Sequence, residues 1–78
     1  MSRLRFDAAF LRRLRTSRGW KLRDLERRTG LSNAYLSQLE TGRTSNPGIN
    51  AVVALAEAFK VSVESLLSYP ARHGGKAR

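Results

Sequence analysis

The sequence predicts an all-α domain built from five short helices, and three observations carry that prediction. Apolar residues recur at helical rather than alternating spacing, and Gly, Asn and Pro cut the chain into pieces of helix length. β-Branched residues fall mainly inside the last two pieces, where spacing and short connections suit helices better than strands. The 78 residues suffice for one domain with a modest core, because a chain this short buries only about 60% of the surface it exposes when unfolded. Cysteine is absent, so neither disulfides nor a thiolate zinc site can supplement apolar packing.

Residues 1–6 read as a basic N-terminal arm. Asp7 is placed to N-cap a first helix that runs through Arg18, with Phe10, Leu11 and Leu14 on one stripe and Gly19 ending it. Trp20 reads as a core or helix-junction residue. A second helix spans about Leu22 to Thr29, with Leu22 and Leu25 inward. Gly30 then supplies the left-handed residue that closes such a helix. Ser32 caps the third helix, about Ser32 to Glu40, which carries Leu36 and Leu39 inward with Tyr35 beside them and stops at Gly42. After the polar loop Arg43 to Gly48, Ile49 to Phe59 forms a fourth helix whose breadth of apolar residues predicts burial on more than one side. Ser62 caps a short fifth helix reaching Leu67. The folded domain is therefore expected over residues 7–69, followed by a flexible basic tail over 70–78.

Fifteen Lys and Arg against six Asp and Glu give a net charge of +9, an excess that points to a polyanionic partner. The longest apolar-rich stretch, Ile49 to Val63, is interrupted by Asn50, Glu57, Lys60 and Ser62 and falls short of a membrane span. No signal-peptide apolar segment follows the first arginines, so a cytoplasmic location is expected. Nothing suggests an enzyme: Ser17, Ser37 and Ser65 have no histidine base placed by any motif, and His73, the single histidine, lies in the tail. The Arg43–Gly48 loop lacks phosphate-loop spacing, and no cofactor or metal is expected.

The informative unit is Leu22 to Glu40. Two short helices are separated only by Gly30-Leu31-Ser32, and a Gly-containing turn of that length sets helices at roughly 90–120°, the helix-turn-helix arrangement. Such a turn projects the second helix outward, where it fits a major groove about 12 Å wide. Its outer side offers Asn33, Ala34, Ser37 and Gln38. Asn and Gln suit the paired donor and acceptor of adenine, Ser is a short adaptable donor, and Ala packs on a thymine methyl. The basic residues lie around this helix, in the first two helices and at Arg43, a division in which charges hold phosphates and neutral polar groups read bases.

The runs Leu14-Arg15-Thr16-Ser17-Arg18-Gly19, Leu25-Glu26-Arg27-Arg28-Thr29-Gly30-Leu31-Ser32 and Tyr35-Leu36-Ser37-Gln38-Leu39-Glu40-Thr41-Gly42-Arg43 resemble the Cro/repressor-type (XRE) helix-turn-helix family. Asn46-Pro47, Leu55-Ala56-Glu57-Ala58-Phe59, Val61-Ser62-Val63 and Leu66-Leu67 are similar to that family's later helices, so the resemblance covers about residues 7–67. It implies a compact five-helix lambda-repressor-like domain, with the helix-turn-helix formed by helices 2 and 3. The function implied is that of a sequence-specific, double-stranded-DNA-binding transcriptional regulator, in the repressor role. The partner would be a near-palindromic operator bound by a homodimer, formed in solution or only on the DNA.

Residue by residue, the resemblance implies base reading by Asn33, Ala34, Ser37 and Gln38, and phosphate contacts by Ser32, Thr41 and Arg43. Main-chain phosphate contacts would come from the amides of Ser45, Asn46 and Ile49, and Arg15 with Glu40 would form a buried ion pair. Dimer contacts would lie near helix five, at Val63, Leu66, Leu67 and Tyr69. Three positions depart from the family pattern. Lys21 and Leu22 replace the usual Ser or Thr and Gln, leaving Lys21 as a point charge for phosphate without a side-chain cap. Glu26 stands where Ala is usual, with its carboxylate expected to bend toward Arg23 or Arg27, and Lys60 replaces a frequent Gly. The alternative is a protein-interaction or antitoxin-like module of the same fold. A single-strand or RNA binder would need more exposed aromatics than Tyr35 and Tyr69.

Overall fold

The computed structural model describes residues 5–44 and 47–68. The expectations placed on Ser45, Asn46 and Tyr69, on residues 1–4 of the arm and on the tail from 70 to 78 lie outside the described residues. In order, the elements are β1 (Arg5–Phe6), α1 (Ala8–Ser17), α2 (Leu22–Thr29), α3 (Asn33–Thr41), α4 (Ile49–Phe59), a single 3-10 turn (Val63–Leu66) and β2 (Leu67–Ser68). Among the described residues there are four α-helices rather than five, because the segment after Ser62 closes only a single 3-10 turn before β2.

Local chemistry sets the helix starts. The Asp7 carboxylate accepts the Phe10 N–H at 3.0 Å to open α1, and Ser32 Oγ accepts the Tyr35 N–H at 3.1 Å to open α3. Ser62 Oγ does the same for Ser65, at 3.2 Å, ahead of the 3-10 turn. Each side chain satisfies a backbone donor that the helix itself leaves unpaired. Between α2 and α3 the chain reverses through Gly30, at φ +79°, a conformation that costs glycine nothing and any other residue about 1–2 kcal/mol.

At the end of α4 the same conformation is carried by Lys60, at φ +59°. Lys60→Gly is therefore expected to stabilise the domain by about 1 kcal/mol, which for this size raises Tm by about 4–8 °C. A thermal melt checks this, and a lowered Tm would show that the lysine stem packs usefully.

The core is assembled from one stripe of each helix. Leu11, Leu25, Leu36, Leu39, Leu55, Phe59 and Leu66 are fully buried, with Phe6, Val52 and Ala56 almost so. α3 packs against α1 and α2, and α4 against α2 and the 3-10 turn. Two expectations change here. Residues 5 and 6 are not a free arm: Arg5 pairs with Ser68 and Phe6 with Leu67 in an antiparallel ladder, extended by the Asp7 N–H donating to the Leu66 carbonyl at 2.7 Å. Phe6 is drawn in because its ring is buried with the core side chains of the helices. α4 buries one side only, through Ala51, Val52, Leu55, Ala56 and Phe59, and leaves Ile49 66% and Val53 36% exposed. Among the described residues no helix is long and apolar enough to cross a membrane.

Candidate nucleic-acid interface

α3 is anchored by Leu36 and Leu39, both fully buried, and by the half-buried Tyr35. The opposite side of the helix carries Asn33, Ala34 and Gln38, all exposed, and the half-buried Ser37. Positions 34, 37, 38 and 41 recur at helical spacing, so Thr41 continues the same stripe to the end of α3. The first turn of the helix adds backbone N–H groups that have no intrahelical partner, which favour a negative charge at that end.

The far end is shaped by Gly42, at φ +80°, which folds the chain back so that the Arg43 N–H donates to the Gln38 carbonyl at 3.0 Å. That return brings the Thr44 hydroxyl to 3.3 Å from Gln38 Oε1, to which it donates. Thr44 thus engages the amide oxygen of Gln38 and leaves its NH2 group without a hydrogen-bond partner among the described residues. Sequence reasoning missed Thr44, whose role depends on a turn geometry that residue types do not announce.

The polar residues assigned to phosphate differ in what they can still donate. Lys21 and Arg43 are exposed, and neither enters an ion pair among the described residues. The Ser32 oxygen accepts the cap bond from Tyr35, which leaves its hydroxyl proton available. The Thr41 hydroxyl instead donates to the carbonyls of Ser37 at 3.0 Å and Gln38 at 3.3 Å, so a phosphate contact requires it to turn outward.

Two arrangements hold this surface to the rest of the fold. Arg15 meets Glu40 in a two-pronged pair, Nε to Oε2 at 2.5 Å and Nη2 to Oε1 at 3.0 Å, while Nη1 donates to the Trp20 carbonyl at 2.7 Å. The side chains are only 15% and 7% exposed, so one guanidinium fastens α1, the turn into α2 and the end of α3. The hydrogen bond to Glu40 raises the Arg15 pKa above its ordinary value, against the opposing effect of burial. Nearby, Trp20 stacks on Phe59 with ring centroids 5.1 Å apart, and the Arg28 guanidinium lies 4.1 Å from the Trp20 ring centre. Trp20 is thus the helix-junction residue expected.

At the start of α2 the side-chain cap is absent, as Lys21 implies, since an ammonium cannot accept a hydrogen bond. Asp24 compensates by accepting the Lys21 N–H at 2.7 Å, and that bond, aided by Arg27 and Arg28, holds its carboxyl below the usual aspartate range. Arg27 pairs with Asp24 at 2.8 Å. Glu26 enters no ion pair among the described residues, contrary to expectation, because the already oriented Asp24 takes Arg27. Of the expected dimer residues, Val63 and Leu67 are half-buried, but Leu66 is wholly within the core and cannot serve an interface without unpacking it.

Two helices joined by a glycine turn, the second buried on one side and polar on the other, define a helix-turn-helix domain. The sequence pattern of the helix-turn-helix domain family matches residues 8–67, and the chain belongs to that family, in its Cro/repressor-type branch. It is 42% identical over 57 residues to the HTH-type transcriptional regulator DdrOP3 of Deinococcus deserti, an alignment covering 73% of this chain and 43% of that protein. The chain thus spans less than half the length of that relative. Among solved structures it is similar to the biofilm master regulator SinR of Bacillus subtilis in complex with DNA, at 27% identity and a TM-score of 0.72, covering 76% of this chain and 94% of the other. It is also similar to the P22 c2 repressor in complex with a synthetic operator, at 27% identity and a TM-score of 0.71, covering 76% and 88%.

Proposed function

We propose that this chain is a sequence-specific regulator of transcription that binds duplex DNA by laying α3 in the major groove. The observation that carries the reading is the exposure of Asn33, Ala34 and Gln38 on a helix whose other side is buried. In this reading Asn33, Ala34, Ser37 and Gln38 meet base edges, while Lys21, Ser32 and Arg43 hold the flanking phosphates. The net charge of +9 supplies the sequence-independent part of the affinity. Duplex binding is supported by the relatives solved with DNA, SinR and the P22 c2 repressor. In this reading the chain acts as a repressor, a symmetric homodimer on a near-palindromic operator with reading helices about 34 Å apart.

Gln38→Ala tests the assignment. It is expected to weaken binding to the preferred duplex by about 1–3 kcal/mol, roughly 5- to 150-fold, and to leave random-sequence duplex unaffected. Arg43→Ala is expected to weaken both duplexes and to make the dependence of log affinity on log salt shallower by about 0.9. Equal losses on both duplexes for Gln38→Ala would remove it from base reading.

A second reading, a protein-interaction module of the same fold, draws on the exposure of Ile49 and Val53 one turn apart on α4. Weak duplex binding with no sequence preference, even at low salt, would favour it.

A further inference from the structure

One side of α1, along its length, and the end of α3 line an open cleft of about 490 Å³, bordered by Ala9, Arg12, Arg13, Thr16, Glu40 and Thr41. Neither Arg12 nor Arg13 is paired with a carboxylate among the described residues, and both are exposed. The one acid in the cleft, Glu40, is already neutralised by Arg15. Both threonine hydroxyls donate to carbonyls of their own helices, Thr16 to Arg12 and Arg13, Thr41 to Ser37 and Gln38. The hydrogen-bond donors left free in the cleft are therefore guanidinium groups, which match the forked oxygens of a phosphodiester.

Position selects the ligand. Thr41 belongs at once to the wall of this cleft and to the stripe that begins at Ala34 and passes through Ser37 and Gln38. A helix about 10–12 Å across fills a groove about 12 Å wide, so the sugar–phosphate strands bordering the groove run beside the helix and over the elements that flank it. α1 is such a flanking element, packed on α3 and fastened to its end by Arg15 and Glu40. Arg13 is further steadied by lying 5.7 Å from the Phe10 ring centre.

We propose that the α1–α3 cleft is a phosphodiester-binding site in which Arg12 and Arg13 grip the DNA strand passing the end of the reading helix. The proposal rests on duplex binding through α3 and extends the contact surface onto a helix that the base-reading and phosphate assignments leave out. It adds affinity without sequence preference.

The test is titration of the intact chain with a fluorescent random-sequence duplex of about 20 base pairs across a range of salt concentrations. Arg12→Ala and Arg13→Ala are each expected to make the salt slope shallower by about 0.9 and to lower affinity roughly 5- to 10-fold near 0.1 M salt. The thermal melt of Arg12→Ala should be unchanged and that of Arg13→Ala lowered by only a few degrees, about what loss of the Phe10 contact costs. Arg12→Lys should keep most of the slope. Lys60→Gly, which removes a charge from a different element, measures what loss of net charge alone does and should change the slope much less. Slopes for Arg12→Ala and Arg13→Ala no shallower than that of Lys60→Gly, with Arg43→Ala still reducing the slope, would overturn the cleft while leaving DNA reading intact. The cleft would then face an acidic protein segment or solvent. Failure of the unaltered chain to show any salt-dependent duplex binding would overturn both.

Discussion

Arg15→Ala is expected to cost about 3–5 kcal/mol, because it leaves the Glu40 carboxylate, only 7% exposed, with no counter-charge. At about 4–8 °C per kcal/mol for a domain of this size, the loss corresponds to a fall in Tm of about 12–40 °C. The magnitude follows from burial: an exposed ion pair is worth at most about 1 kcal/mol, whereas stranding one member of a buried pair exacts its desolvation in full. Replacing both partners together with apolar residues, Arg15→Met with Glu40→Leu, should recover much of the loss, since no charge is then left buried. Urea denaturation of the two single variants and the double variant reads the coupling directly. A single-variant cost below about 1 kcal/mol would mean that water reaches the pair and that it does not set the position of α3.

Phe59→Ala should be comparably damaging, at about 3–5 kcal/mol. Phe59 is fully buried at the end of α4, its ring stacks on Trp20, and its carbonyl accepts a hydrogen bond from Arg18 Nη2 at 2.9 Å. The Arg18 guanidinium also lies 5.3 Å from the Phe59 ring centre, so α1, the turn into α2 and α4 converge on this side chain. Truncation removes the apolar surface and leaves a cavity that Trp20 can only partly fill. Phe59→Leu, which keeps most of the volume, should cost less than half as much. Trp20 is the single tryptophan, and its fluorescence reports both unfolding and loss of the stack. A Phe59→Ala variant with wild-type urea midpoint and unchanged emission would show that the stack does not support the junction.

Much of this architecture was legible because its signals are local. Asp7, Ser32 and Ser62 are capping residues by type, Gly30 and Gly42 close helices where left-handed backbone is required, and Leu36 with Leu39 marks the inner side of α3. The outward presentation of Asn33, Ala34 and Gln38 followed from that same spacing. What the residues concealed depends on distant partners. A two-residue strand has no alternation to detect, so the pairing of Arg5 and Phe6 with the segment after Leu66 could not be read from either end. α4 is apolar around most of its circumference, and periodicity alone could not show that Ile49 and Val53 face away from the core. Thr44 acquires its contact with Gln38 only through the reversal at Gly42. Arg12 and Arg13 look like any solvated helix surface until α3 is packed beside them.

Selection of bound molecules from a random duplex library, using the unaltered chain at physiological salt, tests most directly whether α3 reads base edges. The account predicts enrichment of one short motif, repeated in inverted orientation with centres about one helical turn apart. Recovery of duplexes with no shared sequence would contradict it, and would leave a helix-turn-helix fold whose polar outer helix serves some purpose other than reading DNA.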